Sequence, residues 1–352
     1  MGERYTDCIR PSPIRVRSLS SDSLQHPAEA LWYVGPGRAE IRPEPGRIPS
    51  SGELSVRALY GALSRGTERL VLSGRVPESE YERMRAPFMS GAFPFPVKYG
   101  YSIVGRVEDG PAEAGKVVFA LYPHQDRFTL PADAVVPLPD GVPPSRAVLA
   151  ANMETALNGM WDAAPGPADR IAIVGAGVLG ALVARLCARL PAAQVTLVDI
   201  DLRREGLARA LGVDFAAPEA APGDCDLVVH ASASAAGLAT ALRLAGEEAT
   251  VLELSWYGAD DVAVPLGKAF HSRRLRLISS QVGNVAPSHR ARWSRRRRLA
   301  AALALLADPA LDALLAPAIA FRDLPSRLPD ILAPTSGTLC QLIRYPAAEA
   351  AP

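Results

Sequence analysis

The feature that most constrains this chain is IAIVGAGVLGALVARL at residues 171–186. An unbroken apolar run meets Gly175, Gly177 and Gly180, and an apolar helical pattern follows. Such a run reads as a strand buried on both faces, and the spacing G-x-G-x-x-G turns it into a helix. Gly175 permits the tight turn, Gly177 lets the backbone approach a pyrophosphate, and Gly180 lets the helix pack on the sheet. The free N–H groups of the helix start, with Val178 and Leu179 in its first turn, then meet the phosphate charge.

The next apolar run, VTLVDID, carries Asp199 about 20 residues on, where an acid accepts hydrogen bonds from the adenosine ribose hydroxyls. A carboxylate there repels a 2′-phosphate, so the pattern predicts NAD(H) rather than NADP(H). Arg204 is near enough in sequence to reach the same ribose. Further runs, CDLVVHAS, ATVLELSW and LRLISSQ, alternate with helix-like ALVARLCARL and GLATALRLAG. That alternation predicts a parallel, doubly wound sheet, with Ser232 close to the cofactor at the end of CDLVVHAS.

The texture before this region differs. From about Ala28 to Val142, short apolar runs such as SVRALYGAL, SIVGRV, KVVFALY and AVVPLP alternate with Gly and Pro. These are strand signals, and a partly open β-barrel is expected. MWDAAPGPADR is the turn-rich junction, and RRRRLAAALALLAD onward returns to a helix and short strands ending near CQLIRY. The reading is an α/β protein of two units, with 352 residues and 49% hydrophobic content enough for both cores. Residues 28–150 and 300–346 form the barrel unit and residues 151–299 the dinucleotide unit. Residues 1–27, rich in Arg, Ser and Pro, are expected to be a loose tail, and PAAEAAP at the end to be disordered.

Composition narrows the partners. The formal net charge is +1, so no global field draws nucleic acid or membrane. The run RWSRRRR at 292–298 flows into a helical apolar pattern and reads as a solvated helix face. No charge-free apolar run is long enough to span a bilayer, and the N-terminus lacks a secretory core. Cys8, Cys187, Cys225 and Cys340 are too dispersed for a metal knuckle or redox pair. A cytoplasmic protein with reduced thiols is the expectation.

Beyond the glycine motif, the chain carries GTE at 66–68, GYSIVGRV at 100–107 and METAL at 153–157. With the order of its two units, it resembles the medium-chain dehydrogenases/reductases across roughly residues 28–345. SRGTE and GYSIVG are most similar to the branch containing bacteriochlorophyllide a dehydrogenase, which oxidises a hydroxyethyl side chain to acetyl. The resemblance implies a GroES-like barrel unit beside a Rossmann unit, and a homodimer built through the last Rossmann strand, here LRLISSQ.

It also implies metal positions that this sequence does not fill. The catalytic zinc ligands of the family fall on Arg65 or, shifted by one, Ser64, then on Tyr101 and Ala151. A catalytic zinc needs about three ligands from Cys, His, Asp or Glu, and a guanidinium would repel the ion. Glu68 and Glu154 are nearby in sequence, but two carboxylates alone make a poor zinc site. The lobe that would hold a structural zinc is replaced by GRVEDGPAEAGKVVFALYPHQDRF, which has no Cys. No metal is expected.

Without zinc, hydrogen-bond donors must stabilise an alkoxide and move a proton. Tyr101 is the first candidate, with Arg65 as a cation beside it and Thr67 as the proton-relaying hydroxyl of the resemblance. His124, in YPHQDRF with Asp126, could act as acid or base. Asn152, Glu154 and Thr155 precede the dinucleotide unit and are expected near the nicotinamide, Thr155 on the cofactor and the other two on substrate. Ser255 and Trp256, in ELSWYG at a strand end, are candidates for the substrate pocket. The expected function is a zinc-independent NAD(H)-dependent oxidoreductase interconverting an alcohol and a ketone or aldehyde on a mid-sized metabolite, with ring compounds among the candidates. Two alternatives stay open: an enoyl or quinone reductase acting on an activated C=C bond, and a catalytically silent NAD(H)-binding protein.

Overall fold

The computed structural model describes residues 28–110 and 113–346; the expectations for the tail at 1–27 and for the end at 347–352 lie outside them. The chain starts with an antiparallel hairpin, β1 (Ala28–Gly35) and β2 (Arg38–Glu44), and runs through β3 (Glu53–Leu63) into helix α1 (Arg65–Leu72). Two short strands, β4 (Ser90–Gly91) and β5 (Val97–Lys98), extend the hairpin into a sheet of order β2-β1-β5-β4. Then come β6 (Ile103–Asp109), β7 (Val117–Ala120), β8 (Arg127–Pro131) and β9 (Val135–Pro137). Alternation in β3 explains its place, since Leu54, Val56 and Ala58 are fully buried while Ser55 and Arg57 are not.

Short α2 (Pro144–Ala147) and longer α3 (Ala150–Ala163) lead into the second unit. Its elements are β10 (Arg170–Val174), α4 (Val178–Cys187), β11 (Gln194–Val198), α5 (Glu205–Leu211), β12 (Asp214–Ala216), β13 (Cys225–His230), α6 (Ala235–Leu244), β14 (Ala245–Glu253) and β15 (Arg276–Ser279). All six strands are parallel, in the order β12-β11-β10-β13-β14-β15. This is the doubly wound order, and its direction reverses between β10 and β13. Ile171, Ala172 and Ile173 on β10 are at most 1% exposed, as a strand covered on both faces must be. Each such Ile or Leu contributes about 1.5–3 kcal/mol of burial.

Helix α7 (Arg295–Leu305) packs on α3, and only then does the chain rejoin the first sheet. The return is made by β16 (Leu315–Ala320), α8 (Leu324–Leu332) and β17 (Cys340–Arg344), giving β16-β17-β3-β6-β7-β9 with β8 also on β3. The return thus falls at Leu315, later than the boundary at residue 300 read from the sequence, because α7 buries Leu299, Ala302 and Leu303 against the dinucleotide unit. One hydrophobic core runs through both units, joining Val104 and Phe119 of the barrel to Ile171 and Leu197 of the parallel sheet. A second lies inside the barrel. No helix among the described residues is long and apolar enough to cross a membrane.

The basic run 292–298 is not a simple solvated face. Arg298 is 1% exposed. Its Nε donates to Glu154 Oε1 at 3.0 Å, and its other nitrogens donate to Asn158 Oδ1 and to the carbonyls of Val282 and Asn284. Arg296 donates to the carbonyls of Asp133 and Val135, and Arg297 lies 3.9 Å over the Trp293 ring. A buried ion pair of this kind is held by the completeness of its hydrogen bonds. Removing one partner strands the other charge in the core. Arg298→Met is expected to cost about 3–5 kcal/mol in urea denaturation, and adding Glu154→Leu to recover most of it. A single-variant loss below about 1 kcal/mol would show the pair to be dispensable.

Candidate active site

At the C-terminal edge of the parallel sheet, the β10–α4 turn forms as its glycines require. Gly175 has φ +112, and a Cβ on it would lie 2.7 Å from the Ser232 nitrogen. A Cβ on Gly180 would lie 1.9 Å from the Gly175 carbonyl oxygen. Around Gly177 there is open space, with nothing within 4 Å of a Cβ. Gly177 stands at the start of α4, so the N–H groups of Val178 and Leu179 begin the helix beside that space. Asp199 is half-buried just past β11, and its Oδ2 accepts from Ala176 N at 2.6 Å while Oδ1 accepts from Asp201 N at 2.8 Å. These bonds fix the carboxylate beside the glycine turn and leave further lone pairs free.

The neighbouring arginines are committed elsewhere. Arg203 makes two bonds to Asp201, at 2.7 and 2.9 Å. Arg204 donates to the Gly337 carbonyl at 2.9 Å and lies 3.5 Å from Asp201. Thr155 and Asn152 sit half-buried on α3, where Thr155 Oγ1 donates back to the Ala151 carbonyl at 3.0 Å. Glu154, expected to face substrate, is instead buried against Arg298, on the side of α3 that meets α7. Burial pushes its carboxyl up, opposed by the Arg298 charge and hydrogen bond.

The second half of the site lies in the barrel. Tyr101 Oη donates to Ser64 Oγ, and Thr67 bonds the same phenol. Burial pushes the phenol up to about 12, the two hydroxyls opposing. So Tyr101 keeps its proton at neutral pH. Beneath it, Glu68 is 1% exposed and collects three bonds: from Tyr33 Oη at 2.5 Å, from Ser64 N at 2.7 Å and from His124 Nε2 at 2.9 Å. Glu68 is the centre that the sequence reading passed over. Its signal was an acid four residues after the helix-capping position of Ser64, reaching back to that residue's N–H.

His124 is not on an open loop. It is fully buried, with backbone bonds from Leu31 N to its carbonyl and from its own N to Tyr99 O. Its ring lies against Gly100, where a Cβ would come within 2.8 Å. An imidazole so enclosed orients Glu68 and has no route to substrate. Asp126 likewise accepts from Glu29 N at 2.8 Å, inside the fold. Arg65 does not accompany Tyr101 either. Its guanidinium donates to the carbonyls of Ile331 (3.0 Å), Ala333 (2.8 Å) and Thr338, satisfying the open end of α8. Burial, then the charges of Arg204 and Arg69, lower its pKa.

Across the crevice, β13 and β14 end in a cluster that the sequence reading caught only in Ser232 and Ser255. His230 and Glu253 are register partners, and His230 Nδ1 lies 2.7 Å from Glu253 Oε2. His230 Nε2 is 2.7 Å from Ser232 Oγ. Tyr257 Oη donates to Glu253 Oε2 at 3.0 Å, and Ser255 N to Oε1 at 2.7 Å. Trp256 packs against the barrel core, and a Cβ on Gly258 would touch Leu70 of α1, so this loop bridges the two units.

The positions that the resemblance assigns to zinc ligands can now be judged on their chemistry. Ser64 and Tyr101 converge, but as a hydroxyl donating to a hydroxyl, and Ala151 has no ligating atom in its side chain. Among the described residues, no three His, Cys, Asp or Glu side chains cluster as metal ligands. Cys187, Cys225 and Cys340 are buried free thiols, which burial pushes up to about 12, 11 and 12. The donor set does not fit zinc.

No family model and no curated protein matches the chain. Solved structures do. L-idonate 5-dehydrogenase from Escherichia coli K-12 superposes with a TM-score of 0.74 at 14% identity, covering 91% of this chain and 98% of that one. A dehydrogenase from Sinorhizobium meliloti 1021, described as zinc-binding and bound to NADP, gives 0.72 at 19%, covering 91% and 100%. An alcohol dehydrogenase from E. coli CFT073, complexed with NADH, gives 0.72 at 14%, covering 90% and 99%. The chain therefore has the medium-chain dehydrogenase/reductase fold, a GroES-like unit joined to a Rossmann unit.

Protein purified without chelator is expected to carry well below one zinc per chain by elemental analysis. About one equivalent would overturn the reading of Ser64, Tyr101 and Ala151.

Proposed function

We propose that this chain is an NAD(H)-dependent oxidoreductase that interconverts an alcohol and a ketone or aldehyde without zinc, on a mid-sized, cyclic metabolite. The observation that carries the reading is the open ledge at Gly177 with Asp199 fixed beside it. The residues fit a dinucleotide: Gly177, Val178 and Leu179 beside the pyrophosphate, Asp199 on the ribose, Ser232 and Thr155 along the crevice. Asp199 favours NAD(H) because its charge repels a 2′-phosphate. Arg203 and Arg204, the cations that follow it closely in sequence, are already paired with Asp201. The cofactor, when bound, supplies or accepts the hydride.

The chain's own part is to hold the oxygen of the substrate and its proton. Tyr101 offers a neutral phenol whose partners Ser64 and Thr67 are themselves hydroxyls. Rotation of those hydroxyls lets the phenol donate to a developing oxyanion while the others relay its proton. Buried Glu68 braces the segment by holding Ser64 N, so the cluster is pre-organised. Trp256, on the bridging loop, gives the pocket a flat apolar wall suited to a ring. The alcohol dehydrogenase and L-idonate 5-dehydrogenase among the fold's neighbours support this reaction class. A homodimer through the edge of β15 belongs to the same proposal.

Two measurements test it. NADH should bind more tightly than NADPH in fluorescence titration, and Asp199→Ala should weaken NADH by about tenfold, the loss of one to two hydrogen bonds. Unchanged affinity would remove the ribose assignment. Once a substrate is found by screening metabolite extracts for NADH consumption, Tyr101→Phe should lower kcat by about 10²–10³-fold with NADH affinity retained. Undiminished turnover would remove Tyr101 from the chemistry.

A further inference from the structure

The cluster at the ends of β13 and β14 has a geometry that hydride transfer does not call for. Ser232 is exposed, while His230 is fully buried behind it. His230 Nε2 lies 2.7 Å from Ser232 Oγ, and Nδ1 lies 2.7 and 3.0 Å from the two Glu253 oxygens. Hydroxyl, imidazole and carboxylate thus stand in line, and the Ser255 and Tyr257 hydroxyls lie farther from Nδ1, each at 3.3 Å. The carboxylate is itself held, by Ser255 N and Tyr257 Oη. Burial pushes Glu253 up, but its hydrogen bonds from His230 and Ser255 outweigh it and leave the carboxyl below its ordinary range. An ionised Glu253 fixes the tautomer that carries its proton on Nδ1 and leaves Nε2 free to take one.

The surroundings complete the arrangement. The first turn of α6 packs on the serine: a Cβ at Gly237 would lie 2.0 Å from Ser232 Oγ and 2.8 Å from His230 Nε2. Ser234 caps that helix, accepting from Gly237 N at 3.0 Å, and its hydroxyl lies 2.9 Å from Ser232 Oγ. Ala235 and Ala236 retain first-turn N–H groups with no acceptor within the helix. They are the donors available to an oxyanion formed at Ser232.

We propose that Ser232, His230 and Glu253 form a nucleophilic triad that cleaves small activated carboxylic esters in the crevice between β10 and β13. Ser232 Oγ bonds to the carbonyl carbon as its proton passes to His230 Nε2. The ester C–O bond then breaks, and the imidazolium returns that proton to the leaving alkoxide. Water adds to the acyl carbon by the same route, the Ser232 ester bond breaks, and acid and alcohol leave with no change of oxidation state. The crevice is the one assigned above to the dinucleotide, so competition between ester and NADH rests on that reading, whereas the triad itself does not.

The test uses the full chain freed of nucleotide. Release of p-nitrophenol from p-nitrophenyl acetate is followed, and a fluorophosphonate probe is mapped by peptide mass. Ser232 is expected to carry the probe, and hydrolysis to fall at least about 100-fold in Ser232→Ala and Glu253→Gln. Circular dichroism and thermal melting report on the fold of each variant, and NADH fluorescence titration on the cofactor site of the wild type. If the wild type binds NADH but Ser232 stays unlabelled, or if folded Ser232→Ala hydrolyses the ester at the wild-type rate, the triad is overturned and the cofactor reading stands. If Ser232 is labelled but NADH neither binds nor protects it, the triad stands and the dinucleotide assignment falls.

Discussion

The contact between Gly180 and the Gly175 carbonyl is the constraint on which the site depends. A single added carbon at Gly180 would lie 1.9 Å from that oxygen, so α4 can approach β10 this closely only without a side chain there. The approach sets the direction of α4 and points its free N–H groups into the crevice. It also keeps Gly175 beside Ser232, just past the end of β13. The open ledge at Gly177, the Asp199 carboxylate and the His230 cluster therefore meet around one piece of backbone geometry. The parallel sheet supplies the rigidity, since its strands are buried on both faces.

Two buried carboxylates play opposite parts around that frame. Glu154 is satisfied by Arg298 and joins α3 to α7, which secures the crossing between the units. Glu68 has no guanidinium: it is held by a phenol, an imidazole and a backbone N–H. A carboxyl buried without an ionic partner is tolerated only when hydrogen bonds replace the water it loses. That requirement explains why His124, Tyr33 and Ser64 converge, and why Gly100 must lack a side chain beside the imidazole. The hydroxyl pair Tyr101–Ser64 sits on this braced layer, where the resemblance would place metal ligands.

The substitution of hydroxyls for ligands changes what the site can stabilise. A phenol raised to about 12 donates a hydrogen bond but gives up its proton only as charge develops on its partner. A positive ion would polarise a carbonyl continuously. The Tyr101–Ser64 hydroxyl pair on the barrel side is therefore neutral, while the Rossmann side carries Asp199 and Glu253. Arg65, the cation that the sequence offered beside Tyr101, is spent on the carbonyls that end α8.

Periodicity and glycine spacing were enough to read the fold class and the parallel sheet, because these follow from local rules: apolar strands and a turn that demands glycine. The same local rules misjudged His124, Arg65 and Glu154. A sequence shows which residues can ionise but not which way a helix face turns, and Glu154 and Thr155, one residue apart, face different partners. Glu68 and the Ser232–His230–Glu253 cluster were hidden for a related reason. Their members come from β1, α1 and the loop before β8, or from adjacent strand ends 23 residues apart. Only strand register puts His230 opposite Glu253. The sequence by itself determined the fold class and the glycine turn between β10 and α4, since those are written in short-range pattern. Tertiary structure alone decided which polar groups meet, since burial makes an unpaired polar group costly and so selects the partners.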